Sequence, residues 1–409
     1  MSPARTTRAG AAPDAGAGDR DAGDGAVPEV SRAGALAYRV AAQQLDRSGG
    51  DAAGDLADLA VLDLGLQDSP PGSAAASLAA RTRAGSDAAA AATPERLDDA
   101  RRWVTVWAVR GAPHLLRRGD VRPMALATWP ADAADAAARL AGYGQGVRKR
   151  GGDALAALRA AADAMARAVP ERMAKGDASG ATTREGPDDL SEYCRGCGTV
   201  HISDQLMRLA ALPAGLAVDQ STTPLTLRPM PGWEGVPERQ EGASDLVLAY
   251  LRLHGPATPK DVAAYLQTTQ AAVKAAWPAG DLAEVRVDGR RAWLPADRLD
   301  ALLGAPDPEV VRLLPRSDPW LMGRDRELLV PDAAHRKALW PVLGFPGAVL
   351  VDGEVAGTWR TKAAGKRLDL TVARFRPLTK GERAAIEDEA ARVAALRGHA
   401  DARVTYAEG

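Results

Sequence analysis

The sequence predicts an α+β fold, in which helix-and-hairpin domains in series precede a β-rich C-terminal domain. Residues 244–294 read as three short helices and a two-stranded ribbon, and helices followed by strands recur before residue 130. Residues 310–377 instead alternate short apolar runs with turns, which is typical of a small β-barrel or sandwich. At 409 residues and 46% hydrophobic content, the chain is long enough for two to four domains.

The clearest pattern is that of residues 244–294. Gly255-Pro256 stops the first helix, and Thr258-Pro259 starts the second, because proline at the first helical position loses no hydrogen bond. A third helix begins near Gln270, and Asp288-Gly289 supplies the tight turn of a hairpin. This order predicts a winged-helix form of the helix-turn-helix, whose third helix usually enters the DNA major groove.

The rest of the chain divides into further regions. The first 29 residues hold few large apolar side chains, which predicts a disordered tail. A helix is predicted over residues 56–66, and the small, polar residues 175–187 predict a loop or wing-like segment. Thr379 and Glu382 form a capping box for a closing helix. The predicted regions are the tail at 1–29, winged-helix-like domains at 30–130, 131–230 and 240–304, and the β-rich domain with its closing helix at 310–400.

Composition predicts the compartment and excludes several chemistries. The sequence has no apolar run long enough to span a bilayer, and two cysteines do not make a disulfide framework. We therefore expect a cytoplasmic, nucleoid-associated monomer without membrane contact. The sequence also lacks a Walker or dinucleotide glycine loop and a Gly-x-Ser-x-Gly elbow, so we expect no cofactor and no NTP- or NAD-dependent reaction.

Two segments concentrate positive charge, although the net charge is only −1. Residues 101–122 contain six arginines and one acid, and residues 359–376 contain six bases and one acid. Both segments could contact phosphates. The alternative, a solvated face in an arginine-rich protein, stays open.

Four motifs occur in order along the chain: Arg110-Gly111-Ala112-Pro113-His114, the pattern at 244–294, Leu313-Leu314-Pro315 with Asp318-Pro319-Trp320 and Gly323-Arg324-Asp325, and Val351-Asp352-Gly353 with Gly357-Thr358-Trp359-Arg360. Together they resemble the winged-helix DNA-binding superfamily that contains the azinomycin-resistance and bacterial interstrand-crosslink DNA glycosylases. The resemblance covers nearly all of the chain after the tail. It implies tandem winged helices and a C-terminal β-domain that clasp double-stranded, damaged DNA in a basic channel.

The resemblance also implies a place for catalysis. Glycosylases of this superfamily excise bulky alkylated purines with a Gln, an apolar residue and then Gln or Asp, which position and activate a water at the sugar. In this chain Gln67 fits the first position, Asp68 replaces the apolar residue, and Ser69 replaces the last one. A carboxylate such as that of Asp68 can orient a water and stabilise a sugar that acquires positive charge. The alternative is an ordinary helix end and turn.

Several side chains are predicted to contact DNA. Arg110 and His114 flank a turn at the implied DNA face, and the alternative for His114 is a packed turn in which it pairs with a backbone carbonyl. Trp359 is suited either to stack at the DNA or to fill the β-domain core. The predicted DNA-binding residues are Arg110, His114, Arg117, Arg118, Gln270, Lys274, Arg290, Trp359, Arg360, Lys362, Lys366 and Arg367.

Cys194, Cys197 and His201 have the local spacing of a zinc knuckle but supply only three ligands. A buried, reduced cysteine pair that caps a turn is the favoured alternative, so we predict no metal.

Three functions remain open. The first is a monofunctional DNA glycosylase, and the second is a non-catalytic winged-helix DNA-binding protein that shields lesions or regulates transcription. A regulator that senses a small molecule is a third possibility, and it would require an apolar pocket.

Overall fold

The chain has a mixed α+β fold built around several small sheets. It is seen in a computed structural model, which describes residues 26–47, 55–83, 91–93 and 96–408. Residues 1–25, most of the predicted tail, lie outside the described residues. Glu29, the last residue of that predicted tail, instead belongs to a short strand.

The N-terminal unit carries the strand that ends at the candidate site. Its elements are β1 (Glu29–Val30), α1 (Arg32–Ala42), β2 (Leu66–Gln67), α2 (Ser73–Ala79), β3 (Trp103–Trp107), β4 (Pro113–Arg117) and α3 (Val121–Thr128). The central strand β4 pairs in antiparallel fashion with β2 on one side and with β3 on the other. Ser31 caps α1 by accepting a hydrogen bond from the backbone N–H of Gly34.

The helix predicted over residues 56–66 is wrong. The chain forms two 3-10 turns there, Leu56–Asp58 and Ala60–Leu64, and then enters β2. Gly65 has a φ of +71°, a conformation that takes the backbone out of a helix at little steric cost. The leucines of this stretch are buried, so packing from several directions decides its conformation.

The middle unit is mostly helical. Its elements are α4 (Ala133–Arg139), α5 (Ala141–Lys149), α6 (Ala154–Ala168), β5 (Met173–Ala174), α7 (Lys175–Glu185), β6 (Ser191–Cys194), β7 (Thr199–Ile202), α8 (Asp204–Ala211), β8 (Leu216–Asp219) and β9 (Thr226–Pro229). The predicted loop at 175–187 is wrong, because most of it is α7. Ala178 and Thr182, one turn apart, are buried, so tertiary packing overrides the weak helical propensity of this segment.

The third unit has the element order predicted for residues 244–294. Its elements are α9 (Ala243–His254), α10 (Pro259–Leu266), α11 (Gln270–Ala275), β10 (Leu282–Val287), β11 (Arg290–Pro295) and α12 (Leu299–Leu303). Thr258 and Asp261 form a capping box at α10. The hairpin turns at Asp288 and Gly289, both with positive φ, and β1 adds to β10 as a parallel strand.

The C-terminal unit contains one five-stranded sheet in the order β12-β13-β14-β15-β16. The unit comprises β12 (Val311–Leu314), α13 (Pro319–Met322), α14 (Arg326–Leu329), α15 (Ala333–Leu339), β13 (Gly347–Val351), β14 (Glu354–Ala364), β15 (Arg367–Arg374), α16 (Lys380–Leu396) and β16 (Asp401–Glu408). Over the described ranges this sheet does not close, so the predicted barrel or sandwich is wrong. Helix α16, with the predicted capping box, covers one face.

Buried ion pairs join the N-terminal and C-terminal units. Arg81 donates to both carboxylate oxygens of Asp318 at 2.8 and 2.9 Å, and both side chains are fully buried. Arg39 pairs with Asp325 at 2.5 Å and also donates to the carbonyl of Gly255 in the third unit. Removing one partner of such a pair costs about 3–5 kcal/mol, so the junction beside β2 is held firmly. Among the described helices, none is long and apolar enough to cross a membrane.

Candidate active site and DNA interface

The Gln67-Asp68-Ser69 motif lies at the end of a strand, not at the end of a helix. In β2, Gln67 stands opposite His114 of β4, and the N–H of Asp68 donates to the carbonyl of Pro113 at 2.8 Å. A turn then leads into α2. The side chains of Gln67 and Asp68 therefore point to opposite sides of the strand and have different surroundings.

Arg110 fixes the side chain of Gln67. Its Nη2 donates to Gln67 Oε1 at 3.3 Å, and because arginine has only donors, the amide oxygen must face it. Nη1 donates to the carbonyl of Tyr265 at 2.7 Å, and the guanidinium lies 5.3 Å from the centroid of that ring. Nη2 also contacts Met322 Sδ at 3.7 Å. Gln67 is thus held where the N-terminal, third and C-terminal units meet.

Positive charge accumulates beside Gln67. Burial, with a smaller contribution from the nearby Arg324 and Arg326, lowers the pKa of Arg110 to about 10. Burial lowers the pKa of Arg324 and of Arg326 as well. Arg324 Nε is buried, and no residue in the described ranges accepts a hydrogen bond from it. Three guanidinium groups so placed favour an anion such as a phosphate.

A basic cleft extends from this group between the third and C-terminal units. It has a volume of about 670 Å³, and the cations that line it are Lys260, Arg290, Arg291, Arg324, Arg326, Arg336 and Lys337. Three acids also line the cleft. Asp261 caps α10 and Asp325 pairs with Arg39, so Glu327 is the remaining acid that can offset the positive charge of the cleft. Of these cations, the sequence predicted only Arg290, because they come from separate stretches of the chain.

Asp68 faces a second cavity, on the side of β2 away from Arg110. Its Oδ1 accepts from the N–H of Ala74 at 3.0 Å, so it caps α2. Its Oδ2 accepts from Gln220 Nε2 at 3.2 Å, and the same amide donates to the carbonyl of Asp68 at 3.1 Å. Burial raises the pKa of Asp68, while the N–H groups of Ala74, Gly72 and Ser73 oppose the rise.

This cavity, of about 370 Å³, lies within the usual range of ligand pockets, about 300–1,000 Å³. Its lining combines an aromatic ring with polar groups and includes Asp68, Trp103, Asp219, Gln220 and Arg228. Sequence reasoning missed Gln220, which lies 152 residues from Asp68 along the chain and belongs to no motif.

Ser69 has a backbone role in the structure. Its carbonyl accepts from Arg316 Nε at 3.3 Å and from the hydroxyl of Ser317. These contacts anchor the turn after β2 to the C-terminal unit. They do not place the hydroxyl of Ser69 at the reacting atoms.

Two predicted DNA contacts are buried instead. His114 is 2% exposed, and its Nδ1 lies 2.8 Å from the carbonyl oxygen of Ala112, so the packed turn is the correct alternative. Burial lowers the pKa of His114 to about 4. Trp359 is 4% exposed and donates from Nε1 to the carbonyl of Leu314 at 2.9 Å. Neither side chain reaches the surface, so placing them at the DNA was wrong.

The donors of Arg117 are occupied. Its Nη1 donates to Asp63 and Asp120 at 2.9 Å each, and its Nε and Nη2 donate to the carbonyls of Ala57 and Leu59 at 2.5 and 3.0 Å. The neighbouring Arg118 is half-buried. Arg117 therefore secures the 3-10 turns that precede β2.

Other predicted contacts lie at the surface. Gln270 and Lys274 are exposed and share a face of α11 one turn apart. Arg367 is half-buried and pairs with Asp369 at 2.7 Å. The other predicted DNA-binding residues are exposed, and they are Arg290, Arg360, Lys362 and Lys366.

The cysteine motif lies on the β6–β7 hairpin of the middle unit. Cys194 is half-buried and Cys197 is exposed, so the expected buried pair is wrong. The ligand atoms of Cys194, Cys197 and His201 all lie within 4.8 Å of one another. Hydrogen bonds, first from the backbone N–H of Cys197 and then from His201, lower the pKa of the Cys194 thiol to about 7.

The model of the family described as "DNA glycosylase AlkZ-like" matches residues 57–396. A curated relative, the interstrand DNA cross-link repair glycosylase of Streptomyces sahachiroi, is 32% identical over 175 residues. That match covers 41% of this chain and 46% of the relative, so it spans less than half of the relative's length.

A solved structure, that of the Streptomyces sahachiroi DNA glycosylase AlkZ, matches with a TM-score of 0.71 and 21% identity. It covers 93% of this chain and 100% of that chain, so the two proteins share their fold. Because the family model spans most of the sequence, this chain belongs to the AlkZ-like DNA glycosylase family.

Proposed function

We propose that this protein is a monofunctional DNA glycosylase that removes a bulky alkylated purine from duplex DNA. Water attacks C1′ of the deoxyribose, the bond from C1′ to the purine nitrogen breaks, and its electron pair leaves with the base. The proton of the water passes to solvent. The observation that carries this proposal is the placement of Gln67, fixed by Arg110 beside the group formed by Arg110, Arg324 and Arg326.

In this proposal Gln67 orients the attacking water. Its Oε1 faces Arg110, so the Nε2 group is turned away from the guanidinium and can donate to a water. A phosphate bound to the nearby arginines would bring the DNA backbone, and with it the sugar, to this point. The arginines also create a local positive potential that favours DNA over neutral ligands.

In this proposal Asp68, on the other side of the strand end from Gln67, stabilises the developing positive charge through its electric field and does not contact the attacking water. The sugar becomes cationic as the bond breaks, and a buried carboxylate stabilises such charge more strongly than an exposed one.

The clasp on the DNA is a further part of the proposal. Three helices followed by a hairpin at 243–295 fit a winged helix, and the basic cleft beside it is the proposed path of the phosphate backbone. We extend the winged-helix interpretation to the N-terminal and middle units, so the proposed protein carries winged helices in tandem. The lesion is proposed to be an N7-alkylguanine or an interstrand cross-link, because the curated relative is described as a cross-link repair enzyme.

The test is an excision assay. Duplex DNA with a site-specific N7-alkylguanine, or with an N7-to-N7 guanine cross-link, is incubated with protein and heated in mild base, which cleaves abasic sites. We expect strand scission at the lesion with wild type. Gln67→Ala and Asp68→Asn should each lower the single-turnover rate by about 10²–10³-fold, which is typical for loss of a positioned polar group.

Matched controls separate chemistry from folding. Gln145→Ala and Asp300→Asn replace exposed residues of the same types, and they should keep the wild-type rate. If the wild-type protein produced no scission at any of these lesions, the proposed glycosylase activity on those substrates would be wrong.

A non-catalytic DNA-binding protein is the second candidate, and one observation favours it. Asp68 already caps α2 and holds Gln220, so its carboxylate has a structural use without catalysis. This candidate predicts lesion binding without scission and equal binding by wild type and Gln67→Ala. A gel-shift titration on the same duplexes distinguishes it from the glycosylase.

A further inference from the structure

We propose that Cys194, Cys197 and His201 form a zinc-binding site that is separate from the excision site. The three residues lie on the β6–β7 hairpin of the middle unit, and the proposed reaction does not use them. Zinc favours this set of ligands, since thiolate and imidazole are its usual donors.

The hairpin register brings the ligands together. Cys194 stands opposite Thr199, and His201 stands two residues further along β7, so Cys194 and His201 share one face of the ribbon. Cys197 lies in the turn, where the N–H of Gly198 donates to the carbonyl of Cys194 at 2.9 Å. A positive φ at Gly198 lets the chain reverse sharply there.

The distances suit a tetrahedral ion. Zinc–ligand bonds of about 2.0–2.3 Å place ligand atoms about 3.5–3.8 Å apart. The observed ligand atoms lie within 4.8 Å of one another. Side-chain rotations that move these atoms by about 1 Å would bring them to the distances of a zinc site. The Nδ1 of His201 lies 2.7 Å from the carbonyl oxygen of Ile202, which fixes the ring and leaves Nε2 for the metal.

Solvent supplies the fourth ligand. Among the residues that line the cavity beside the cysteines, the one carboxylate is that of Asp204, and both of its oxygens are already paired. Oδ1 lies 2.5 Å from Lys175 Nζ, and Oδ2 lies 2.7 Å from Arg208 Nε. The cavity, of about 710 Å³, gives the ion a route to the cysteines.

The hairpin also lacks a core of its own. It forms a separate two-stranded sheet, and such sheets are marginally stable in water. On the face opposite the cysteines, Tyr193 and Val200 form a cross-strand pair that is 64% and 57% exposed. Of its eight strand residues, only Ile202 is buried. A bound metal would stabilise the ribbon as it does in other small units without a hydrophobic core.

The first experiment measures metal content. Full-length protein is purified under reducing conditions, incubated with zinc sulfate, freed of unbound metal by gel filtration, and analysed by inductively coupled plasma mass spectrometry. We expect one zinc per chain. Cys194→Ser combined with Cys197→Ser, and separately His201→Gln, should abolish binding. His399→Gln, a histidine of the C-terminal unit, is the matched control and should retain the metal.

The second experiment reports coordination and does not depend on activity. Replacement of zinc by Co²⁺ should give a thiolate-to-cobalt charge-transfer band and the visible bands of tetrahedral cobalt, and Asp204→Asn should keep both. Zinc should also slow hydrogen exchange of the hairpin amides relative to protein treated with a chelator. Failure of reduced wild type to bind zinc and cobalt overturns the proposal, and so does binding that survives in the double cysteine variant.

Discussion

The two arginine-rich segments look alike in the sequence but differ in the structure. In residues 101–122, Arg102 pairs with Asp55, and Arg117 pairs with Asp63 and Asp120. In residues 359–376, the β14–β15 hairpin projects the exposed side chains of Lys362 and Lys366. Arg102 and Arg117 of the first segment therefore hold the N-terminal unit together, and the second segment leaves its lysines available to a partner.

The difference arises from partners that lie outside each segment. A count over residues 101–122 finds one acid, but Asp55, Asp63 and Glu234 approach the arginines from other parts of the chain. Arginine is also suited to such bonds, because its planar fork satisfies carboxylates and carbonyls together. Lysine carries a compact, strongly hydrated charge, and the exposed Lys362 and Lys366 keep theirs at the surface. A count of positive charge in a sequence window therefore does not distinguish structural arginines from cations available to DNA.

The largest expected effect is on stability, at Arg117. Arg117→Ala removes bonds to two carbonyls and two carboxylates, and we expect it to lower the free energy of unfolding by about 3 kcal/mol. Urea denaturation measures this change. Arg118→Ala, at the adjacent half-buried position, should change stability by no more than about 0.5 kcal/mol. If the Arg117→Ala protein were as stable as wild type but bound DNA more weakly, the structural role of Arg117 would be wrong and a phosphate contact would be supported.

His114 gives the next largest effect, which depends on pH. Its pKa is about 4 in the folded protein, below the ordinary value of about 6.5. Between these values the unfolded chain binds a proton that the folded chain does not, so stability is lost as pH falls from 7 towards 4. At pH 5 the loss from this histidine is on the order of 2 kcal/mol.

The measurement is urea unfolding of wild type and His114→Gln at pH 7 and pH 5. The variant should lose less stability over this interval by the contribution of His114. His254, whose pKa burial lowers to about 3, adds a similar slope that remains in the variant. Equal losses in the two proteins would show that His114 is not buried in its neutral form.

The sequence predicted the fold best where local signals and packing agree. At Thr258 the cap, the proline and the acid three residues later all indicate a helix start, and the structure has it. The pairing of β1 with β10 was not predictable. A two-residue strand is too short to show an alternation of apolar and polar residues, and its partner lies more than 250 positions away. The five-stranded sheet of the C-terminal unit also includes β16, which lies beyond the region predicted for the β-rich domain. Its pairing with β15 is visible only in the tertiary structure.

The candidate site shows the same limit. The motif and the family resemblance located Gln67 and Asp68, whereas the groups that hold them come from Arg110, Tyr265 and Gln220, in three separate parts of the chain. Sequence pattern indicated which residues carry chemistry. It could not indicate that these two side chains face opposite sides of a strand end, because that depends on the pairing of β2 with β4.

The smallest expected effect concerns the exposed lysines, and it tests whether the β14–β15 hairpin meets DNA. Lys362→Ala combined with Lys366→Ala should leave stability unchanged, because both side chains are exposed. If each lysine neutralises one phosphate, the slope of log K against log salt should fall by about 1.8. Arg367→Ala removes a cation already paired with Asp369, so its slope should stay close to wild type. Fluorescence anisotropy with a lesion-free duplex over a range of salt concentrations gives all three slopes, and an unchanged slope in the lysine variant would place the hairpin away from the DNA.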